Sequence, residues 1–372
     1  MKITKSSIEI LVTGGSGFLG NAVVMALRAK HPDWKITVVD LKPPIKSGKR
    51  DGFIITDIRS AEDVDNIFDG YEPDAIIHTA GLVPDGQTRY SQSPKDRGRI
   101  FGTNCNGTSN ILSAAKKAGV RALVYTSSCT VVTDDQNHDY PNMTEDIPTG
   151  SATLLYGQSK AHAERLVLAA NDTTMKTCAL RPSTIIGPGD VACVPTIHAC
   201  IAKGETPYVV GTGDNLYDFV YVTNAADAHV LAVENLLSSH PTAAGEAFFI
   251  SNQEPIYFRD FCLACWKEFG HVPKWQIRVP ANLAWFAGWV AEWTTWCTGT
   301  EATLSRGSVE DAVGTRYASG QKARQFLGYV PKIGMAKAIK LSCKSYQDQL
   351  MQQFVPTRTA TDSSSENKPS NL

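Results

Sequence analysis

The sequence predicts an α/β fold, in which a doubly wound parallel sheet forms the body of the protein and a smaller C-terminal substrate lobe completes it. Apolar strand-like segments alternate with helix-like segments through the first half of the 372-residue chain, a pattern typical of parallel sheets covered by helices. A glycine-rich turn joins the first strand directly to the first helix. Hydrophobic residues make up 42% of the chain and charged residues 20%, as in ordinary globular proteins.

The alternation is regular as far as Arg181. The predicted elements are, in chain order, a strand at 8–12, a helix at 21–30, a strand at 35–39, a helix at 61–68, a strand at 74–78, a helix at 103–118, a strand at 122–126 and a helix at 156–170. Beyond Arg181, turn clusters at 187–190 and 211–214 separate amphipathic stretches, which predict the smaller lobe.

These patterns predict two domains and a tail. Residues 1–185 form the sheet domain, and residues 186–355 form the lobe, with residues 218–237 returning to the first sheet. Residues 356–372 are rich in Ser, Thr, Asp and Asn and nearly free of apolar side chains. Such a composition cannot bury enough apolar surface to fold, so we expect a disordered tail.

Charge and cysteine content exclude several classes of protein. The formal net charge is −1, so no overall field attracts nucleic acid, and no nucleic-acid partner is expected. Nine cysteines stand at irregular spacings, and Cys262 and Cys265 form a lone CxxC without a second pair. We therefore expect reduced thiols and no metal site. The polar N-terminus runs straight into a strand, and no signal peptide is expected.

The glycine-rich turn has the GxxGxxG spacing between a strand and a helix. Gly14 and Gly17 allow a tight turn and a close approach of backbone N–H groups to a pyrophosphate, while Gly20 allows the helix to pack on the strand. The helix N-terminus favours the phosphate charge. The turn therefore predicts a Rossmann dinucleotide site whose contacts are Gly14, Gly15, Ser16, Gly17, Phe18, Leu19 and Gly20.

Asp40 ends the second predicted strand, twenty residues after Gly20. A carboxylate at this place accepts hydrogen bonds from the ribose hydroxyls and repels a 2′-phosphate, which favours NAD over NADP. Lys42 lies nearby and keeps NADP possible, and an exposed strand-end Asp without a ligand is the alternative. Asp57 and Ile58 follow a third strand and suit an adenine contact, with a plain turn as the alternative.

Tyr156 and Lys160 lie one helical turn apart, on the helix that follows the serine-rich end of a strand. Removing hydride from a carbinol carbon requires a base for the hydroxyl proton, and a lysine ammonium can lower the pKa of a nearby tyrosine. A serine hydroxyl orients the substrate oxygen. We predict Ser128, Tyr156 and Lys160 as the catalytic set, with Ser127 as the neighbouring alternative to Ser128. Tyr156 and Lys160 are also predicted cofactor contacts, since Lys160 can hold the nicotinamide ribose. An ordinary amphipathic helix with a surface lysine is the non-catalytic alternative.

Five segments resemble the 3β-hydroxysteroid dehydrogenase/isomerase branch of the extended short-chain dehydrogenases, most closely the decarboxylating sterol-4α-carboxylate 3-dehydrogenases. The resemblance covers roughly residues 8–350 and rests on LVTGGSGFLG (11–20), LVYTSS (123–128) followed by VV, YGQSKAHAE (156–164), LRPSTIIGPGD (180–190) and DFVYVTNAADAHVLA (218–232). The first three segments are similar across many short-chain dehydrogenases, and the last two are more specific.

The resemblance implies further site residues. The segment at 180–190 is similar to the family segment beneath the nicotinamide, which implies cofactor contacts from Pro182, Ser183 and Thr184. Asn104 matches the helix asparagine of the proton relay. Ala80 and Gly81 stand where the family has a strand end beside the cofactor. Ser127, Ser128 and Tyr156 are the implied substrate contacts.

A tryptophan-rich segment spans residues 283–297, where Glu292 is the single charged residue. Trp285, Trp289 and Trp293 repeat every four residues and form a helix stripe. The segment is too short to span a bilayer comfortably, but such a stripe suits a helix lying at the membrane interface. The resemblance also associates this region with membranes, and we expect a place on the cytoplasmic side of the endoplasmic reticulum membrane. A helix buried against the substrate lobe is the alternative.

The residues and the resemblance together predict NAD(P)-dependent oxidation of a 3β-hydroxyl group on a sterol or triterpenoid, with loss of a 4α-carboxylate as CO2. One alternative is a 3β-hydroxy dehydrogenase of a specialised terpenoid or meroterpenoid pathway. Two further alternatives are a nucleotide-sugar epimerase or dehydratase and a catalytically inactive NAD-sensing protein. A homodimer is left open.

Overall fold

The computed structural model describes residues 7–43, 52–298 and 304–353. The predicted disordered tail at 356–372 lies outside the described residues. The first half of the chain contains β1 (Glu9–Thr13), α1 (Phe18–Lys30), β2 (Lys35–Asp40), β3 (Gly52–Ile55), α2 (Ala61–Ile67), β4 (Ala75–His78), α3 (Pro94–Phe101), α4 (Thr108–Lys117), β5 (Ala122–Thr126), α5 (Thr130–Thr133), β6 (Tyr140–Met143), α6 (Leu155–Ala169) and β7 (Lys176–Pro182).

The second half contains shorter strands and longer helices. Its elements are β8 (Thr184–Ile186), α7 (Cys193–Ala202), β9 (Tyr208–Val210), β10 (Leu216–Tyr217), β11 (Phe219–Tyr221), α8 (Val222–Leu237), β12 (Ala247–Ile250), β13 (Ile256–Tyr257), α9 (Phe258–Glu268), β14 (Ile277–Val279), α10 (Ala281–Thr298), α11 (Arg306–Val313), β15 (Arg316–Ala318), α12 (Gln321–Leu327) and α13 (Met335–Gln353).

Seven parallel strands form the main sheet in the order β12-β7-β5-β4-β1-β2-β3. Leu11 of β1 lies opposite Thr37 of β2 on one side and Ile76 of β4 on the other. The central strands β4 and β5 are buried along their whole length, as expected for a parallel sheet covered on both faces. The prediction of a doubly wound α/β fold of the Rossmann type is confirmed.

Helices cover both faces of this sheet. On one face, α1 buries Val23, Val24 and Leu27 together with Ala225 and Ala228 of α8. On the other face, α2, α4 and α6 form a second apolar core over β4 and β5. Helix α8 therefore returns to the sheet, and β12 adds the seventh strand from still later in the chain.

The second lobe has its own apolar core between α7, α9 and α13. Phe261 stacks on Phe219 with ring centroids 3.8 Å apart, and the indole nitrogen of Trp266 donates to the carbonyl oxygen of Ile197 over 2.7 Å. A four-stranded sheet in the order β13-β10-β15-β6 borders this lobe. Because β6 comes from the first half of the chain, this sheet joins the lobe to that half. The division at residue 185 stays a prediction.

The helix predicted over 103–118 differs in its first turns. Residues Gly102–Gly107 form a π-helical segment, and α4 begins only at Thr108. The wider turn brings the Asn104 side chain inward, where it donates to Ser159 Oγ over 2.9 Å and accepts from the Leu82 amide over 2.7 Å. Insertions of this kind are frequent at functional sites.

The predicted tryptophan helix forms within α10 and lies at the surface. The exposed fractions are 40% for Trp285, 46% for Trp289 and 58% for Trp293, and Leu283 is 58% exposed. Ala284, on the opposite face, is buried. No helix in the described part of the chain is both long and apolar enough to cross a bilayer.

Candidate active site

The glycine turn between β1 and α1 leaves no room for side chains. Gly14 has φ of +70°, and a Cβ atom there would lie 2.7 Å from the Ala80 backbone. A Cβ atom on Gly20 would lie 2.1 Å from the Gly14 carbonyl oxygen. The Gly17 amide donates to that same oxygen over 3.0 Å and closes the turn. Gly15 packs equally closely on the Val38 side chain.

The first turn of α1 is open to a ligand. Gly17 is the N-cap residue and has no side chain to accept a hydrogen bond from the first-turn amides. Phe18 and Leu19 open the helix, and neither carries a charge. Free N–H groups at a helix N-terminus form an anion site, because they add to the positive end of the helix dipole.

Asp40 lies where the end of β2 meets the glycine turn. Its carboxylate accepts from the Ser16 amide over 3.0 Å and from the Leu41 amide over 2.7 Å. The Ser16 hydroxyl in turn donates to the Lys42 carbonyl oxygen over 2.7 Å. The carboxylate therefore has a structural role in fixing the turn, beside any contact with a ligand.

Asp57 and Ile58 are occupied by protein contacts. Arg59 forms a two-pronged ion pair with the Asp57 carboxylate, with Arg59 Nε 2.9 Å from Asp57 Oδ2, and holds the pKa of Asp57 below its usual value. The Ile58 side chain packs so closely against Gly107 that a Cβ atom there would lie 2.6 Å from it. The predicted adenine contact would have to form beside this ion pair.

The catalytic candidates meet at the carboxyl end of β5. Ser128, Tyr156 and Lys160 are all buried, with exposed fractions of 9%, 7% and 4%. The Ser128 hydroxyl lies close enough to the Tyr156 side chain to lower its pKa, which partly opposes the effect of burial. Gly81 lies beside Lys160 and Asn104, since a Cβ atom there would be 3.4 Å from Lys160 Nζ and 3.3 Å from Asn104 Oδ1.

Lys160 does not bind Tyr156 in this structure. Its ammonium group donates to the Thr126 carbonyl oxygen over 2.7 Å and to the Tyr125 hydroxyl over 3.2 Å. Burial lowers the pKa of Lys160 to about 8. Burial, followed by the nearby Asp134 carboxylate, raises the pKa of Tyr156 well above its usual value. The Tyr–Lys spacing predicts that Lys160 lowers this pKa; in this structure the desolvation of the ring raises it.

The two serines of the β5 end point to different partners. The Ser127 hydroxyl donates to Glu164 Oε2 over 2.6 Å, and Arg181 binds both oxygens of the same carboxylate. All three side chains are buried. Ser127 thus serves an internal ion pair, whereas Ser128 faces Tyr156.

The segment predicted to lie beneath the cofactor, at 182–184, borders the loop that follows β5. The Pro182 carbonyl oxygen accepts from the Cys129 amide over 3.0 Å, and the Ser183 amide donates to the Ile250 carbonyl oxygen over 3.0 Å. Thr184 begins β8 and is half-buried. The loop after β5 and the loop after β7 therefore lie side by side.

Four charged residues beside the catalytic helix had no signal in the sequence. Arg89, Asp134, Asp311 and Arg316 form an ionic cluster, in which Asp134 and Arg316 are buried and the other two are partly buried. Arg89 and Arg316 are 227 positions apart in the chain, so no local sequence pattern connects the four residues.

No group of three His, Cys, Asp or Glu side chains within the described ranges could hold a metal ion.

Comparison with known proteins adds a family and a set of relatives. The profile of the 3-beta hydroxysteroid dehydrogenase/isomerase family matches residues 11–281. The decarboxylating sterol-4-alpha-carboxylate 3-dehydrogenase of Schizosaccharomyces pombe is 36% identical, over 88% of this chain and 94% of that protein. The Saccharomyces cerevisiae enzyme of the same name is 34% identical, over 89% of this chain and 95% of that protein.

Solved structures share the fold at lower identity. A dTDP-glucose 4,6-dehydratase from Bacillus anthracis, solved in complex with NAD, is 18% identical and superposes with a TM-score of 0.68. The match covers 93% of this chain and 98% of that one.

Proposed function

The chain belongs to the 3-beta hydroxysteroid dehydrogenase/isomerase family and is an NAD(P)-dependent oxidoreductase, and from this premise we propose its substrate and mechanism. It oxidises the 3β-hydroxyl group of a sterol or triterpenoid to the ketone, and a 4α-carboxylate leaves as CO2. The observation that carries the proposal is the burial of Ser128, Tyr156 and Lys160 together beside the glycine turn.

The residues of the glycine turn fit a dinucleotide. Side chains at Gly14 and Gly20 would collide with backbone, and the first turn of α1 has no side-chain cap. The residues that would hold the pyrophosphate are those of the turn, at 14–20, and Asp40 would hold the adenosine ribose. Asn104, Ala80, Gly81 and the 182–184 segment border the same edge of the sheet. The bound nicotinamide would accept the hydride that leaves C3.

Ser128 and Tyr156 handle the hydroxyl proton. The Ser128 hydroxyl donates to the substrate oxygen and orients it. The phenolate form of Tyr156 accepts the hydroxyl proton and becomes the neutral phenol as the C3–O bond becomes a carbonyl. Lys160, one turn further along α6, supplies the positive charge of the site. Its ammonium must remain buried for this purpose, and the Thr126 carbonyl oxygen holds it there.

Decarboxylation then needs no further cofactor. The oxidised product is a β-keto acid, with the new C3 carbonyl next to the carbon that bears the carboxylate. When the C4–carboxylate bond breaks, its electron pair enters the enolate of the C3 ketone, CO2 leaves, and C4 later takes up a proton. Ser128 would stabilise the enolate oxygen by the same hydrogen bond that oriented the alcohol.

The alternatives receive less support. Nucleotide-sugar enzymes need cations that are free to bind a diphosphate. Arg89 and Arg316, near the loop that follows β5, are both paired with aspartates. The solved relatives of that class share only the fold at this identity. An inactive NAD-sensing protein would have no reason to keep Ser128, Tyr156 and Lys160 together in a buried site. A specialised terpenoid substrate would use the same chemistry, and the homodimer stays a prediction.

We further propose that α10 rests on a membrane surface, on the cytoplasmic side of the endoplasmic reticulum. Trp285, Trp289 and Trp293 are exposed on one stretch of helix, and exposed tryptophans favour the bilayer interface. The exposure supports this over burial against the lobe. A sterol dissolved in the bilayer would then be close to the lobe that receives it.

Replacing Tyr156 by Phe tests the proposed base. Turnover of a 3β-hydroxy sterol should fall by roughly 10²–10⁴, the usual effect of losing an acid–base group, while cofactor affinity measured by calorimetry stays nearly unchanged. Lys160→Ala should reduce both. Tyr257→Phe is the matched control, because Tyr257 is 45% exposed outside the site. A Tyr156→Phe enzyme that retains most of its turnover would refute the assignment.

Asp40→Asn tests the cofactor preference. The wild type should have a higher kcat/KM with NAD than with NADP. Removing the charge should reduce this preference, expressed as a free energy, by about 1.5–3 kcal/mol. Asn keeps an oxygen for the Ser16 amide, so the turn should survive. Asp57→Asn is the control, since an adenine contact is common to both cofactors and its loss leaves their ratio unchanged. A wild type that prefers NADP would contradict the role of Asp40.

The double variant Trp289→Ser/Trp293→Ser tests the membrane contact. It should fold and bind cofactor, yet no longer sediment with phospholipid vesicles as the wild type does. Trp275→Ser is the exposed control, at 54% exposure outside α10, and should still sediment. Trp266→Ser removes a buried ring and should cost about 3–5 kcal/mol of stability. If the double variant melts like Trp266→Ser, α10 is a core element and the proposal fails.

A further inference from the structure

Four charged side chains form a neutral cluster between the second lobe and the catalytic helix. Arg89 Nη2 donates to Asp134 Oδ1 over 3.0 Å, and Arg89 Nε donates to Asp311 Oδ2 over 2.8 Å. Arg316 Nη1 donates to the other oxygen of Asp311. The side chains of Asp134 and Arg316 are 0% and 3% exposed. The side chains of Arg89 and Asp311 are partly exposed, at 23% and 19%. Two positive charges thus balance two negative charges.

Asp134 holds the first turn of the catalytic helix. Helix α6 begins after Leu154, whose side chain cannot accept a hydrogen bond from the first-turn amides. Asp134 Oδ2 accepts from the Gly157 amide over 2.9 Å instead, and the Asp134 carbonyl oxygen accepts from the Thr153 amide over 2.8 Å. Asp134 therefore acts as the N-cap that α6 lacks, although it comes from another element. Gly157 directly follows Tyr156.

The same carboxylate acts on the Tyr156 hydroxyl through its charge. Asp134 raises the pKa of Tyr156, and Arg89 lowers it. Burial also raises the pKa of Asp134 itself, against the effect of Arg89. The titratable or charged groups near Tyr156 from the elements packed around it are Asp134, Arg89, Cys129, Tyr125 and Lys160. Of these, Asp134 and Arg89 form an ion pair that reaches beyond the site.

The cluster continues into the helices that carry the tryptophan stripe. Asp311 belongs to α11, and its Oδ2 also accepts from the Tyr90 hydroxyl over 2.8 Å. Helix α11 packs on α10, where a Cβ atom on Gly288 would lie 2.8 Å from the Ser305 backbone. Glu292 of α10 pairs with Arg306 of α11 over 2.8 Å. A continuous path of packed and ion-paired groups thus joins α10 to α6.

We propose that Asp134 is a positioning residue for Tyr156: it caps the helix that carries the tyrosine, and Arg89, held from the lobe by Asp311, is the counter-charge that neutralises the cap. The proposal rests on the proposed role of Tyr156 as the base. A displacement of α11 would pull Arg89 from Asp134 and leave a bare carboxylate beside the phenolate. The lobe then influences the chemical step without touching the reacting atoms.

Opposite shifts of the pH profile test the electrostatic part. In the oxidation direction, kcat/KM rises with pH as Tyr156 loses its proton. Asp134→Asn should move this rising limb about one pH unit lower, and Arg89→Gln about one unit higher, as neighbouring charges do. The double variant Asp134→Asn/Arg89→Gln should return it close to the wild-type position.

The controls separate positioning from mere loss of structure. Arg89→Lys keeps the charge and should shift the limb less than Arg89→Gln. Lys332→Gln removes an exposed cation that is paired with Asp227 and should shift nothing. Arg89→Gln leaves Asp134 unpaired and could therefore fail to fold. The double variant has no unpaired charge at this position. The pH profiles of the double variant and of Asp134→Asn then differ only by the effect of Arg89. Shifts in one direction for both single variants, or lower activity without any shift, would overturn the proposal.

A measurement without substrate tests the cap itself. Hydrogen exchange followed by mass spectrometry should show faster exchange at the start of α6 in Asp134→Ala than in Asp134→Asn, because Asn retains an acceptor for the Gly157 amide. If the wild type oxidises no sterol, the proposed function fails, and this exchange still decides whether Asp134 caps α6. Equal exchange rates in both variants would show that the Asp134 side chain does not cap α6.

Discussion

The arrangement of the site depends on the hydrogen bonds that the buried ammonium of Lys160 makes with the end of β5. Removing this charge from water is costly, and the cost is visible in a pKa lowered to about 8. The Thr126 carbonyl oxygen and the Tyr125 hydroxyl compensate part of it, and Nζ lies 4.7 Å from the centroid of the Tyr125 ring. These bonds tie α6 to the end of β5. Gly81 packs against this ammonium, since a Cβ atom there would lie 3.4 Å from Lys160 Nζ.

Polar groups hold the catalytic helix at three levels. Asp134 caps its start, Lys160 joins its second turn to β5, and Glu164 joins its third turn to Arg181 of β7. Buried ion pairs add little net stability compared with apolar packing, but breaking one is strongly destabilising. They are therefore better understood as devices that fix the position of Tyr156 relative to the sheet. The Ser127 hydroxyl binds Glu164 of the same ion pair, which leaves Ser128 as the serine that we propose contacts the substrate.

Much of this could be predicted from the sequence, because the signals were local. Strands β1, β2, β4 and β5 of the main sheet, the glycine turn and the spacing of Tyr156 and Lys160 each occupy a few consecutive residues. The π-helical turn at Asn104 was predicted as ordinary helix, since the contacts that widen it come from residues 82 and 159. The Arg89–Asp311 pair joins residues 222 positions apart.

The direction of the Tyr156 pKa shift was also beyond the sequence. It depends on how deeply the ring is buried and on Asp134, neither of which the Tyr–Lys spacing reveals. The substrate lobe was the least predictable part, because its sheet takes one strand, β6, from the first half of the chain.

The balance of products from a 3β-hydroxy-4α-carboxy sterol tests the central claim most directly. With NAD supplied, the account predicts that each ketone formed is accompanied by one NADH and one CO2, measured by mass spectrometry, absorbance and trapped label from the carboxylate. The same sterol without the carboxylate should give ketone and NADH alone. A product that keeps its carboxylate when formed would contradict decarboxylation, and the absence of NADH with either sterol would contradict the proposed oxidation.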